Sequence, residues 1–370
     1  MRRTVRTAGE VLEEGRTDLV HGCVSCTLRE DVLPTLVRLS RAHPASDLVL
    51  ALPPAIEPEA VAAACAVGSV DGVAVTDAVR FDSYVAVVEA AGVVDDLCST
   101  DSLRDRGLHA AGNDERAVAD VVVRQIEFAD TVVVWSSPGA DAFERHRLAA
   151  LLHRLAPWAA HVHVGDSPKV DCTGLAGRLL RTGRHDPGVP GMMGRALEGY
   201  PIGIHDRHGE HGVNAMLFRS RRPFHPQRLH DALDDLTAEA LRGRGQLWIA
   251  TQPGTAIAWE SSGGGLLLGN LGHWLAALPR ERWDEASDMR RLAADAAWDP
   301  YYGDRGTVLS FVGFGLDVDA MTATLGRCLL TDAEIADGAE SWGALPDPFA
   351  DFFPLDDGAD QPASAERAVS

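Results

Sequence analysis

Lysine is nearly missing from this chain of 370 residues: Lys169 is the only one among 34 basic residues. A P-loop NTPase needs a lysine beside its phosphates, and Lys169 sits in GDSPKVD, with no glycine-rich loop. Cysteine is also scarce. Six cysteines without regular spacing make no disulfide framework, so a reducing, cytoplasmic setting is expected. No run of about 20 apolar residues is present to span a membrane. The start, MRRTVRTAGEVLEEG, lacks the apolar stretch of a secretory signal. Positive charge is short as a whole, with a formal net charge of −20 and a pI near 5.0. Such a field repels phosphate backbones and disfavours generic nucleic-acid binding. No Ser–His–Asp order, nucleophile elbow or paired-carboxylate spacing is found.

With 46% hydrophobic residues, the chain is long enough for two cores. In the first half, short apolar runs alternate with helical patterns. CTLREDVLPTLVRLSRAH is expected to be a helix, with Pro34 in its first turn or bending it. DLVLALP (47–53) reads as a buried strand, PEAVAAACAVG as a helix closed by Gly68, DGVAVTDAV as a strand and FDSYVAVVEAAG as a helix. A helix capped at Asn113 or Asp114, the strand TVVVWSS, the helix AFERHRLAALLHRLAP and the strand AHVHVG follow. The alternation predicts parallel βαβ units in a doubly wound sheet.

Residues 178–212, rich in Gly, Pro and His, read as a linker. The second half opens with a strand and a helix starting near Pro226. GQLWIATQ, TAIAWESS and GGLLLGNLG follow at hairpin spacing. Next come a helix over RWDEASDMRRLAADAAW, the strand TVLSFVGFGL, and a helix capped by Asp317. ESSGGGLLLG reads as a hairpin turn. From Asp347 the acidic tail reads as loose. No internal repeat is found.

Three groups of residues carry candidate chemistry. In HGCVSCTLRED, Cys23 and Cys26 can chelate one soft ion if the loop turns between them, with His21 as the nearest third ligand. A redox dithiol and an inert pair are the alternatives, because a helix N-terminus favours thiolates for either chemistry. His205, His208 and His211, spaced by three in HDRHGEHG, suit weak zinc binding or an ordinary polar linker. Arg219, Arg221, Arg222 and Arg228 in FRSRRPFHPQRL read either as a contact for an anionic partner or as a strand-to-helix joint. In the joint, Phe224 is the anchor and His225 the cap. Trp248, Trp259 and Trp274 read as core, and Cys65 and Cys328 as buried and inert. GMMG (191–194) reads as a pliable contact.

These residues resemble the CobW family of metal-handling P-loop GTPases. FRSRRPFHPQRL resembles the signature that opens the CobW C-terminal domain. RGRGQLWIATQP, WESSGGGLLLG, WDPYYGDRGTVLSFVGFGLD, LLTDAEIADG and WGALPDPF continue the match in order to Phe349. GCVSCTLREDVLPTL resembles the family's cysteine segment, with Ser25 in place of the middle cysteine, and RQIEFAD resembles its Gln-Ile-Glu stretch. The Walker A loop G-x-x-x-x-G-K-[ST] has no counterpart. WSSPGAD stands where the family reads guanine with Asn and Lys, and LALPPAIEP stands where an acidic stretch is expected, leaving only Glu57 there.

The resemblance implies an incomplete P-loop-GTPase-like doubly wound parallel sheet (1–177) lacking Walker A. It is followed by the linker (178–212), a smaller α+β CobW C-terminal domain (213–346) and the tail (347–370). It also implies a protein of zinc homeostasis or metallochaperone type, like actinobacterial members with degenerate nucleotide motifs. GTP and Mg²⁺ are implied by the family alone. The expected cargo is zinc, and the expected partner is a client metalloprotein or, in the alternative reading, a ribosome-associated protein of the zinc-starvation response. A GTPase whose start is mis-assigned is the third reading. Substrate turnover is not expected of this chain.

Overall fold

The structure, a computed structural model, describes residues 2–16, 27–109, 111, 114–136, 141–165, 171–353 and 367–368. The chain opens with an antiparallel hairpin of β1 (Arg2–Arg6) and β2 (Val11–Arg16). A π-turn over Leu28–Val32 then runs into α1 (Leu33–Ala42). Pro34 explains the wide turn. It has no N–H for the carbonyl four residues back, and the Leu33 N–H instead reaches the Leu28 carbonyl, one residue further than an α-helix allows.

After α2 (Pro58–Val67) come the two-residue strands β3 (Ser69–Val70) and β4 (Val73–Ala74). The parallel sheet has the order β5 (Val85–Glu89), β6 (Thr131–Trp135), β7 (Ala160–Val164). Its helices are α3 (Val118–Phe128), α4 (Ala142–Leu155) and α5 (Cys172–Leu179).

Three expectations fail here. DGVAVTDAV, read as a strand, supplies only β4 before one helical turn over Val75–Ala78. FDSYVAVVEAAG holds β5 and no helix. Its valines alternate between exposed and buried, the period of a strand, and the neighbouring alanines mask that pattern in the sequence. DLVLALP is no buried strand either: it is irregular, with Val49 76% exposed. Among the described residues β5 is the edge of the sheet, so the apolar run has no strand to join and only Leu48 and Leu52 pack inward. The α3 cap also differs, since the helix starts after Ala117 and Asp114 instead bonds Arg116.

The second sheet is antiparallel, with seven strands in the order β14-β12-β11-β10-β13-β9-β8. These are β8 (Asp206–Glu210), β9 (Val213–Ser220), β10 (Arg242–Leu247), β11 (Thr255–Ser262), β12 (Gly265–His273), β13 (Thr307–Phe314) and β14 (Arg367–Ala368). β10 begins three residues before the expected strand. Gly263 and Gly264 make the β11–β12 turn with φ of 55° and 79°, values that favour glycine. On one face lie α6 (Pro226–Asp231) and α7 (Val318–Cys328), the latter capped by Asp317, which accepts from Ala320 N at 2.9 Å.

Trp248, Trp259, Trp274 and Phe224 are fully buried. The stretch read as a loose tail begins as core: Phe349 and Phe353 are buried with Met216, Phe224 and Leu325. The 178–212 segment contributes β8 and buries Met192, Leu197 and Ile202. The two halves share one core cluster, in which Val213, Ala215 and Val312 of the second sheet pack with Leu148, Leu151 and Leu155 of α4. No helix among the described residues is long and apolar enough to cross a membrane.

Candidate metal centre and the joint between the sheets

His21, Cys23 and Cys26 lie outside the described residues. Their flanks are firmly held. On one side, Arg3 of β1 bonds both Asp31 and Thr35, and Arg38 of α1 reaches Glu13 of β2 at 2.5 Å. On the other, Thr27, Leu28, Val32 and Leu33 are buried, the three apolar ones in a cluster with Val61, Cys65 and Val75. Both ends of the thiol-bearing segment are thus tied to one helix and one hairpin.

The remaining cysteines do not add to a site. Burial pushes the Cys65 thiol up to about 11, and a protonated buried thiol is neither ligand nor nucleophile. Cys328 is also raised by burial and donates to the carbonyls of Arg228 and Thr324 at 3.3 and 3.2 Å. Cys98 and Cys172 are exposed and single. Among the described residues no group of three or more His, Cys, Asp or Glu is placed to hold an ion.

That statement covers His205, His208 and His211. The three do not converge, although the spacing in the sequence is regular. His205 lies near Arg219 and Arg244, and burial lowers its pKa. His208 is exposed, with its backbone N–H on Asp206. His211 takes a left-handed φ of 51° in the β8–β9 turn and stacks on His146 at 5.3 Å. Along a strand, residues three apart point to opposite faces, whereas a helix would have aligned them.

The arginine cluster resolves mostly into a joint. Arg228 makes a two-point ion pair with Glu334 at 2.9 and 2.8 Å, and it also bonds the Leu329 carbonyl. Arg222 bonds the Leu330 carbonyl and pairs with Asp332. Arg221 bonds the carbonyls of Arg305 and Ala297. Phe224 is buried, and His225 caps α6 by accepting from Arg228 N. Arg219 is the exposed member with no ion-pair partner among the described residues. A docking role for all four is therefore not what the packing favours, because three guanidiniums are already committed to carbonyls and carboxylates.

The largest charged cluster was not singled out from the sequence. Glu127 of α3 is fully buried and receives Arg242 Nε and Nη2 at 2.8 Å each. Arg244 Nη1 lies 2.5 Å from the same carboxylate. Burial opposes ionisation of Glu127, and the guanidiniums of Arg242 and Arg244 overcome it, holding its pKa below the usual range. The chain of pairs continues from Arg242 to Glu260 (3.3 Å), Glu260 to Arg124 (3.3 Å), Arg124 to Glu57 (3.4 Å) and Glu57 to Arg116 (2.6 Å). Gln125 adds bonds to the carbonyls of Pro54 and Ile56. One signal for it was present: Arg242 and Arg244 stand two apart on a strand, so both point to one face, a costly arrangement in an otherwise buried strand unless an acid meets them.

The carboxyl ends of the parallel strands, where open α/β sheets bind ligands, carry Glu89, Ala90, Trp135 and Ser136. Ala90 N bonds the Trp135 carbonyl and Ser136 N bonds the Val164 carbonyl, both at 2.8 Å. No lysine or glycine-rich loop stands there among the described residues. These four residues offer no cation to a phosphate; Lys169, shortly after β7, lies outside the described residues.

Comparison with known sequences agrees with this two-part plan. Residues 3–161 match the profile of the CobW/HypB/UreG nucleotide-binding domain. Residues 213–329 match the cobalamin synthesis protein cobW C-terminal domain. The first match gives the class, that of the CobW/HypB/UreG nucleotide-binding domain. The chain belongs to the CobW family. It is similar to a zinc chaperone of Mycobacterium tuberculosis, 34% identical over 359 residues, which are 95% of this chain and 83% of the relative. It is also similar to the zinc-regulated GTPase metalloprotein activator 1 of Dictyostelium discoideum, 26% identical over 357 residues, 94% of this chain and 72% of that one. Among solved structures it matches Zn(II)-bound YjiA GTPase from E. coli at 14% identity and a TM-score of 0.29. That match covers 69% of this chain and 64%, less than two thirds, of the other.

Proposed function

We propose that this chain is a cytoplasmic zinc metallochaperone that works without GTP turnover. Cys23 and Cys26 supply the thiolates, and His21 or a client protein supplies the rest. The observation that supports the reading is that the described residues flanking the Cys-x-x-C segment, the β1–β2 hairpin and the buried π-turn with α1, are tied to each other. Two thiolates make half of a tetrahedral zinc site, and an open half suits an ion that is handed on. The names of the mycobacterial and Dictyostelium relatives support zinc as the cargo and a metalloprotein as the client. The missing Walker A sequence and the residues at the carboxyl ends of β5 and β6 support the absence of turnover. His205, His208 and His211 then serve as dispersed, weak zinc contacts, and exposed Arg219 supplies docking charge for the client.

The test is metal analysis of anaerobically purified full-length chain, with GTP titration beside it. Zinc is expected at or below one equivalent, lost on the double substitution Cys23→Ser and Cys26→Ser, with no saturable heat from GTP. An apo protein that ignores added zinc would sink the carrier reading, and micromolar GTP binding would sink the nucleotide-free one.

A further inference from the structure

The parallel sheet has a second end. Asp130 immediately precedes β6 and Ala160 opens β7, so both mark the amino ends of the strands, opposite the end considered for nucleotide. A cleft of about 390 Å³ opens there, a volume within the range of metabolite sites. Phe128 and Trp158 form one wall, and Val189 and Pro190 another. The strap that closes it is already in place. Asp82 accepts from the N–H groups of Thr182 and Gly183 at 2.8 Å each, and its carbonyl accepts from His185 N at 3.0 Å.

Two guanidiniums line this cleft, and neither has an ion-pair partner among the described residues. Arg195 is only 8% exposed. It lies 4.1 Å over the Trp158 ring, and its bonds go to the Pro201 carbonyl and the Met192 sulfur at 3.3 and 3.8 Å. A buried charge without a counter-ion is costly. The nearest acid that acts on it, Glu127, already has both oxygens on Arg242 and Arg244. Burial accordingly lowers the Arg195 pKa. Arg184 is exposed and donates to the Arg178 carbonyl at 3.1 Å. Opposing them in the cleft are Asp130 and Asp186. Asp130 is itself engaged, by Tyr84 N at 2.7 Å and His185 Nδ1 at 3.4 Å.

We propose that this cleft binds a small organic carboxylate, with its charge on Arg195 and Arg184 and its apolar body against Phe128, Val189 and Pro190. The two acids set the charge. They offset the two guanidiniums in formal count, so a monoanion disturbs the site less than a phosphate dianion would. A planar carboxylate also matches the planar guanidinium fork. The site shares no residue with the zinc-binding segment and stands whether or not the zinc reading holds.

The test is calorimetric titration of the full chain at low ionic strength with three probes: sodium benzoate, inorganic phosphate and benzylammonium chloride. Benzoate is expected to bind saturably, phosphate more weakly and benzylammonium not at all. Arg184→Gln, at an exposed position that leaves the fold alone, should weaken benzoate by about tenfold or more, while Arg327→Gln on α7 should leave it unchanged. Absence of saturable benzoate binding to the parent chain overturns the proposal. So does benzylammonium binding as tightly as benzoate, phosphate binding more tightly, or an Arg184→Gln chain that binds as the parent does.

Discussion

The two sheets are covered to very different degrees. Every residue of β11 is buried, while β5 alternates and leaves Val87 67% exposed. The antiparallel sheet has α6 and α7 on one face and α4 of the first half on the other. An antiparallel sheet usually keeps one wet face; this one gives that face to the other domain. The parallel sheet, which by its type should be buried on both sides, has three strands among the described residues and is open along β5 there. The first half is therefore steadied by the second, through a shared apolar cluster and through Glu127 with its two arginines.

Removal of that tie should show the dependence most strongly. Glu127→Ala leaves Arg242 and Arg244 buried without their acid, and about 3–5 kcal/mol of stability should be lost in urea unfolding. If the halves depend on each other, the transition should also split into two; a single transition with an unchanged midpoint would break the comparison.

A smaller effect is expected at Glu59, beside the same ion chain. Burial, with Glu260 and Glu57 adding and Arg124 opposing, raises its pKa from 4.5 to about 7. The folded state then holds the proton more tightly than the unfolded one, so stability falls as pH rises from about 4.5 through about 7. Glu59→Gln should remove that slope, stabilising the protein by about 1–3 kcal/mol at pH 8 and little at pH 4. Melting curves across that range decide it, and an equal effect at both pH values counts against the buried acid.

The smallest change belongs to the open edge. Val87→Ser should shift stability by no more than about 0.5 kcal/mol. A loss of several kcal/mol in the same melts would mean that β5 is covered in solution.

Legibility in the sequence follows the same division. TVVVW reads as a strand and is one, because β6 is central and buried on both faces. The signature from Phe218 to Leu229 places a strand, a proline-set turn and a helix correctly, since Pro223 and Pro226 fix the backbone locally. VAVVE, in contrast, is hidden among alanines, and DLVLALP has strand composition without a neighbour to pair with. Regular histidine spacing misleads because a strand, unlike a helix, sends residues three apart to opposite faces. The Glu127 cluster joins residues more than a hundred positions apart: Arg242 and Arg244 on one strand call for a buried acid, but nothing local says which. The cleft lined by Arg184 and Arg195 is hidden because both come from the segment that reads as linker.

The π-turn before α1 holds one more residue than an α-turn would. Deleting one residue there, Glu30 for example, would let the segment settle into ordinary helical geometry without shortening any loop. Everything upstream of Thr27 would then arrive rotated by about 100° about the helix axis. Asp31 and Thr35, which hold Arg3 on one side of that axis, would keep their own bearing. The extra residue thus acts as a phase setting, deciding the compass direction from which the front of the chain meets its helix.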